Sequence, residues 1–185
     1  MSSPGVATPQ ATFLSLLERI EAKRKTVKVY PATQLDQLQE EYGATSKVLY
    51  WIYTRLRPAA LAKFPKPALP SRVPISELCG VHLGLKTIIQ PPPANNWWCV
   101  YSGRGTITRL RDHHFGIPGD VIGCLGLPEY GEAYWNPSEW GVRIVKDTKA
   151  RLGSIGRLAF NYAVNAENLE RAWRLHYGWP ILCRK

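Results

Sequence analysis

Acidic residues are almost missing from the middle of this 185-residue chain. Between Glu41 and Asp112 the one acid is Glu77, whereas the same interval carries ten lysines and arginines. The whole chain has a formal net charge of +10, so most of the positive excess falls in this single stretch. Such a segment repels polycations and attracts polyanions. Nucleic acid is therefore the expected partner.

Long apolar runs and a disulfide pattern are also missing. The sequence contains no run of about 18 apolar residues, the length needed to span a bilayer. It also contains no basic amphipathic helix that could lie on a membrane surface. The first ten residues do not form a signal peptide, and the cysteines are irregularly spaced: Cys79, Cys99, Cys124 and Cys183. We therefore expect reduced thiols, no membrane partner and a cytoplasmic or organelle-interior location.

Signatures of catalysis and metal binding are few. Cys79-Gly-Val-His82 has metal-ligand spacing, and Cys124 could add a ligand, but a second matching pair is absent from the sequence. Asp120 and Asp147-Thr-Lys149 loosely resemble the PD-(D/E)xK nucleases, in which two carboxylates hold a divalent metal. We expect no cofactor, no bound metal and no catalytic residue. A metal-dependent nuclease ranks third, after the two non-enzymatic functions given at the end of this section.

The periodicity of the remaining sequence predicts an α+β fold, since 45% of the residues are hydrophobic and can form a core. Helical spacing over residues 12–25 predicts a first helix, and spacing over residues 154–177 predicts C-terminal helices. β-rich runs at residues 97–101, 106–110 and 140–146 predict a small antiparallel sheet.

Proline and glycine divide the predicted chain into four parts. Residues 1–10 form a mobile tail, and residues 11–65 form an N-terminal helical domain. Residues 66–74 form a basic, proline-rich connector, and residues 75–185 form the α+β domain. The expected order is therefore a helical domain, then a sheet with a β-hairpin, then C-terminal helices.

Residues 35–58 contain two apolar runs at helical spacing, separated by Gly43. The first run predicts a helix that ends near Tyr42, and the second predicts a helix that ends at Arg57, because Pro58 disfavours helical geometry before it. In the alternative interpretation, Tyr50, Trp51 and Tyr53 are core residues of an ordinary helical hairpin.

The pair resembles the helix-turn-helix of DNA-binding proteins over residues 35–57. The matching positions are Leu38, Tyr42, Gly43, Ala44, Leu49 and Ile52. Gln39 departs from the pattern, which usually has alanine there because the two helices approach closely. The resemblance implies that a second helix over residues 46–57 enters the major groove and that its outward side chains contact DNA.

A basic hairpin is predicted to add contacts. Ser102-Gly103-Arg104-Gly105 would join its two strands and place Arg104 at the tip, within reach of a groove or a phosphate. Trp97, Trp98 and Tyr101 would stack on bases if the ligand were single-stranded. The complete set of predicted nucleic-acid-binding residues is Ser46, Lys47, Tyr50, Trp51, Arg55, Arg57, Lys63, Lys66, Arg104, Arg109 and Arg111.

The sequence thus predicts a non-enzymatic nucleic-acid-binding protein, with DNA favoured over RNA as the ligand. The alternative is an RNA-binding structural or assembly component of a ribonucleoprotein. In that role the same basic residues would bind without base specificity, and a protein partner in the assembly is expected.

Overall fold

The computed structural model describes residues 9–82, 85, 96–146 and 163–184. Its centre is a four-stranded sheet with the strands β1 (Tyr30–Pro31), β2 (Lys47–Thr54), β3 (Trp98–Thr106) and β4 (Trp140–Lys146). The strands lie in the order β1-β4-β2-β3, and each neighbouring pair is antiparallel. The predicted strand over residues 140–146 is confirmed.

Six helices surround the sheet in the described part of the chain. They are α1 (Pro9–Thr26), α2 (Leu35–Tyr42), α3 (Pro58–Leu61), α4 (Ile75–His82), α5 (Ile107–His114) and α6 (Ala163–Tyr177). Short 3-10 turns occur at Ala32–Gln34, Leu127–Tyr130 and Pro137–Glu139. The α+β class is confirmed, and none of these helices has the length and apolar character needed to cross a membrane.

Strand β2 is buried on both faces. Val48, Tyr50 and Ile52 pack into a core with residues of α2, α3, α4 and α5. The alternate side chains of the same strand pack against α1 and α6 on the opposite face. Helices therefore cover the sheet from two sides, and β2 is its central element.

The prediction of a second helix over residues 46–57 is wrong, because most of this segment is strand β2. Leu49 and Ile52 fit a helical spacing, but they belong to a continuous apolar run that pairs with β3 and β4 on its two sides. Such a run, rich in aromatic and branched residues, is typical of a central strand. Helix α2 packs against α5 instead, so no helix follows Gly43 in the manner of a helix-turn-helix.

The predicted hairpin is also wrong. Residues 102–105 do not turn but continue β3, where Gly103 pairs with Tyr50 and Arg104 pairs with Leu49. After Thr106 the chain enters α5 rather than a second strand, and the Thr106 side chain accepts the N–H of Arg109 to begin that helix. Arg104 therefore lies within a strand and not at a tip.

The predicted domain boundary at residues 66–74 separates strands that belong to one sheet. Strand β2 comes from the predicted helical domain, whereas β3 and β4 come from the predicted α+β domain. Within the proposed connector, Arg72 and Val73 are buried, so this segment belongs to the packed body. Most of the predicted tail and the predicted helical residues 154–162 lie outside the described residues.

Candidate functional site

A cavity of about 350 Å³ lies beside the edge strand β3. Strands β2 and β3, helix α5 and helix α6 supply its walls. The lining residues are Tyr50, Tyr101, Gly103, Arg104, Gly105, Arg109, Glu170 and Arg174. With three arginines and one glutamate, ionised side chains give this lining a net charge of +2. The cavity is therefore suited to an anion.

Gly103 makes room for the ring of Tyr50, its partner on the neighbouring strand. A Cβ placed on Gly103 would lie 2.5 Å from the ring atoms and the hydroxyl oxygen of Tyr50. Real Cβ atoms do not make contacts this short, so any residue other than glycine at this position would have to displace the ring. The glycine that suggested a turn in the sequence is instead what lets an aromatic ring cross the edge strand.

The Tyr50 hydroxyl forms a hydrogen bond with the buried side chain of His114. Their Oη and Nε2 atoms are 2.9 Å apart, and the backbone N–H of Leu125 donates to His114 Nδ1 at 3.3 Å. Burial lowers the pKa of His114 to about 3, so the ring is neutral and carries one proton. Because Nδ1 accepts a hydrogen bond, that proton lies on Nε2 and is donated to Tyr50.

Tyr50 is consequently oriented as a donor. Its oxygen accepts from His114, so its own proton is directed away from the histidine. Burial raises the pKa of Tyr50, and Glu170 raises it further against the opposing effect of Arg109. The hydroxyl therefore keeps its proton and presents it next to the arginines of the cavity.

Arg174 is the buried cation of the site. Its Nε donates to Ser102 Oγ and its Nη2 donates to the Ser102 carbonyl, both at 2.8 Å. Arg174 also pairs with Glu170 one turn earlier on α6. Burial raises the pKa of Glu170, while Arg174 and Arg104 act against this rise. The guanidinium is thereby fixed to the backbone of β3 at the wall of the cavity.

Arg104 and Arg109 are the more exposed cations. Arg104 Nη2 lies 3.1 Å from Glu167 Oε2 on α6, in a half-exposed ion pair. Arg109 is exposed on α5, and a Cβ on Gly105 would come within 2.9 Å of its Cδ. The absence of a side chain at Gly105 lets the Arg109 stem lie against β3.

Three of the eleven predicted residues, Tyr50, Arg104 and Arg109, meet at this cavity. Lys47 is exposed at the same end of β2, opposite Thr106 of β3. The Ser46 hydroxyl donates to the Tyr42 carbonyl. These two residues lie near the cavity end of the sheet but do not line the cavity.

The other predicted residues are elsewhere. Trp51 is a core residue, packed edge-on against Trp173 at 5.2 Å between ring centroids. Arg55 and Arg57 are exposed cations just beyond the other end of β2. The eight residues of this strand span roughly 23 Å. Lys63 and Lys66 follow beyond α3 and are exposed. The predicted set is therefore split between the two ends of the sheet.

Arg111 and Trp97 also differ from expectation, and Trp98, at the start of β3, is partly buried against the core. Arg111 lies on α5 two residues after Arg109, but it pairs with Asp112 at 2.8 Å and Asp36 at 3.6 Å. Trp97 is buried under the guanidinium of Arg55, 4.7 Å from the ring centroid. Tyr101 does line the cavity, and its hydroxyl donates to the Gly123 carbonyl at 3.0 Å.

The sequence interpretation missed His114, Glu170 and Arg174. Glu170 and Arg174 are spaced four residues apart on a predicted helix, a spacing that usually marks a surface ion pair. His114 stands in an Asp-His-His run whose local pattern does not indicate a partner on another strand. Their shared role depends on the strand order, which the local pattern does not give.

No group of three or more metal-ligating side chains occurs among the described residues. His82 Nδ1 is 2.9 Å from the Ile181 carbonyl oxygen, and Arg72 Nη1 donates to Cys124 Sγ at 3.4 Å. All four cysteines are buried, and each is a free thiol. Of the predicted nuclease residues, Asp120 is exposed, whereas Asp147 and Lys149 lie outside the described residues.

No protein-family model matches the chain, and comparison with curated proteins and with solved structures gives no match either.

Proposed function

We propose that the protein binds single-stranded nucleic acid by taking a phosphate group into the cavity beside β3. The observation that carries this proposal is the convergence of Arg104, Arg109 and Arg174 on one cavity with a single lining carboxylate. Guanidinium groups fit phosphate oxygens through paired hydrogen bonds and are the usual side chains for this task. The chain's net charge of +10 would attract the strand over a longer range.

The size of the cavity favours a single strand over a duplex. A volume of about 350 Å³ lies at the small end of ligand pockets, which suits one phosphate with part of its nucleotide. The rings of Tyr50 and Tyr101 are stacked 6.4 Å apart beside the cavity and provide an aromatic wall. The predicted major-groove helix over residues 46–57 is replaced by β2, so the argument for duplex DNA no longer has its reading element.

The test compares Arg109→Ala with the control Arg111→Ala. Both changes remove one arginine from α5, but Arg109 lines the cavity whereas Arg111 is paired with two aspartates. Fluorescence anisotropy with single-stranded DNA, single-stranded RNA and duplex DNA across a salt series supplies the measurement. The wild-type protein should bind both single strands more tightly than the duplex.

Arg109→Ala should weaken single-strand binding by about tenfold and reduce the magnitude of the salt slope by about 0.7, the value for one phosphate contact. Arg111→Ala should change either quantity much less. The proposal is wrong if none of the three nucleic acids binds at low salt. It is also wrong if the two variants lose the same affinity, because a diffuse basic surface would then account for binding.

A further inference from the structure

We propose that the group taken into the cavity is a terminal phosphate monoester, so that the protein recognises the end of a nucleic-acid strand. This inference rests on the proposed function and specifies its ligand. It is carried by the burial of two lining side chains, by the orientation of the Tyr50 hydroxyl and by the charge of the lining.

Two of the polar side chains that line the cavity have very little exposed surface. Tyr50 is 2% exposed and Arg174 is 7% exposed, yet both line the cavity. An internal phosphodiester is flanked by nucleotides on both sides, so it cannot approach a buried donor without bringing both neighbours with it. A terminal phosphate has a neighbour on one side only and can enter first.

The orientation of Tyr50 adds a hydrogen-bond donor at that depth. The N–H of Leu125 fixes the tautomer of His114, and His114 in turn donates to the Tyr50 oxygen, which leaves the phenolic proton for a ligand oxygen. Phosphate oxygens accept hydrogen bonds and do not donate them when ionised. A chain of three groups, starting from the protein backbone, thus prepares one donor for an anion.

The charge of the lining distinguishes a monoester from a diester. A phosphate monoester carries a charge of about −1.5 to −2 at neutral pH and has three terminal oxygens. A diester has one negative charge and two such oxygens. The net charge of +2 from the three arginines and Glu170 therefore matches the monoester better.

The experiment uses short labelled single strands of one sequence that carry a 5′-phosphate, a 3′-phosphate or hydroxyl groups at both ends. One phosphorylated strand should bind at least about tenfold more tightly than the hydroxyl strand. Inorganic phosphate should compete with this additional affinity. The arm with the higher affinity identifies which end is recognised, and either end supports the proposal.

Tyr50→Phe supplies the matched variant, since it keeps the ring and removes the donor. It should lose most of the preference for the phosphorylated strand. The control is Tyr130→Phe, which also removes a buried hydroxyl, one that donates to the Val73 carbonyl at 3.3 Å. The control should keep the preference, and thermal melting of both variants verifies that they fold.

The outcomes separate this inference from the proposed function. Equal affinity of the wild-type protein for all three strands overturns end recognition and leaves single-strand binding standing, and this comparison needs no variant. A preference that Tyr50→Phe retains in full overturns the role of the buried donor. Absence of binding to every strand overturns both proposals together.

Discussion

Two clusters in this protein combine arginine, glutamate and aromatic side chains, and they lie in different environments. The first, here the Arg24 cluster, consists of Glu21, Arg24, Tyr53 and Trp173 between α1, α6 and the sheet. Arg24 donates to both carboxylate oxygens of Glu21, at 2.6 and 2.7 Å, and to the hydroxyl of Tyr53. Trp173 Nε1 donates to Glu21 at 3.0 Å, so the charges are neutralised within the cluster.

The second cluster is the cavity beside β3. Its lining has three arginines to one glutamate, and Arg109 reaches it from an exposed position on α5. The comparison shows that residue types alone do not mark a binding site. In the Arg24 cluster the carboxylate balances the arginine, whereas the lining of the cavity keeps an excess of positive charge that an anion could neutralise.

The largest expected effect is a loss of folding stability when the Arg24 cluster is disrupted. Burial would raise the pKa of Glu21, but hydrogen bonds from Arg24 and Trp173 hold it below its usual value. Glu21→Gln should lower the free energy of unfolding by about 3 kcal/mol or more, because Arg24 stays charged and buried. Denaturant unfolding gives the measurement.

The control for this prediction is Glu18→Gln, an exposed position on the same helix, which should change stability by no more than about 0.5 kcal/mol. Under conditions in which both proteins are folded, Glu21→Gln should bind nucleic acid like the wild type. A loss of affinity there would mean that the two clusters are coupled and would refute the distinction between them.

The next effect tests whether the wall of the cavity also contributes to stability. His114 has a pKa of about 3 in the folded protein against an ordinary value of 6.5. Between these two pH values the unfolded chain binds a proton at His114 that the folded protein does not bind. The free energy of unfolding therefore has its full value above pH 6.5 and decreases as the pH falls below it. From about pH 6.5 to about pH 4 the loss should reach about 3 kcal/mol.

His114→Gln isolates this contribution, because glutamine does not titrate. The variant is expected to be less stable at neutral pH but to show a flatter decline of unfolding free energy toward acid. Carboxylates titrate in both proteins, so the difference between the two pH profiles reports the histidine. Parallel profiles would show that His114 is not the buried neutral group described above.

The smallest effect sharpens the geometry at β3. Gly103→Ala places a Cβ where the Tyr50 ring lies, and forcing an extra methyl group into a packed site should cost about 1–3 kcal/mol. Nothing lies within 4 Å of a Cβ at Gly119, so Gly119→Ala is the control. Denaturant unfolding and single-strand affinity should both decline for the first variant and stay near wild type for the second.

The sequence was sufficient to predict the α+β class, the helix at α1 and strand β4, because each has a periodic pattern of its own. It misassigned β2, where aromatic and branched residues stand at every position from Val48 to Tyr53. A strand covered on both faces has no alternation to detect, so Leu49 and Ile52 were read at helical spacing. The composition of the run was the signal that favoured a strand.

The distribution of charge along the sequence predicts part of the candidate site but indicates a larger basic region than the structure has. Arg72 contributes to the acid-poor interval in the sequence, yet it is fully buried and donates to both carboxylate oxygens of Glu129 at 2.7 and 2.9 Å. Arg104 and Arg109 do reach the cavity, but its third arginine is Arg174, far along the chain. Only the pairing of β2 with β3 and the packing of α6 bring them together.

The hydrogen bonds of Arg174 also bear on the behaviour of the sheet in a crowded solution. Unpaired strand edges invite a second chain to add a strand, which leads to aggregation. Here the outer edge of β3 is occupied, since Leu182 N donates to the Val100 carbonyl and Arg174 donates to the Ser102 carbonyl. At the opposite edge β1 is two residues long and contains Pro31, which has no N–H to offer. Arg174 thus helps to keep the protein from polymerising through its sheet at the same place where it supplies a cation to the cavity.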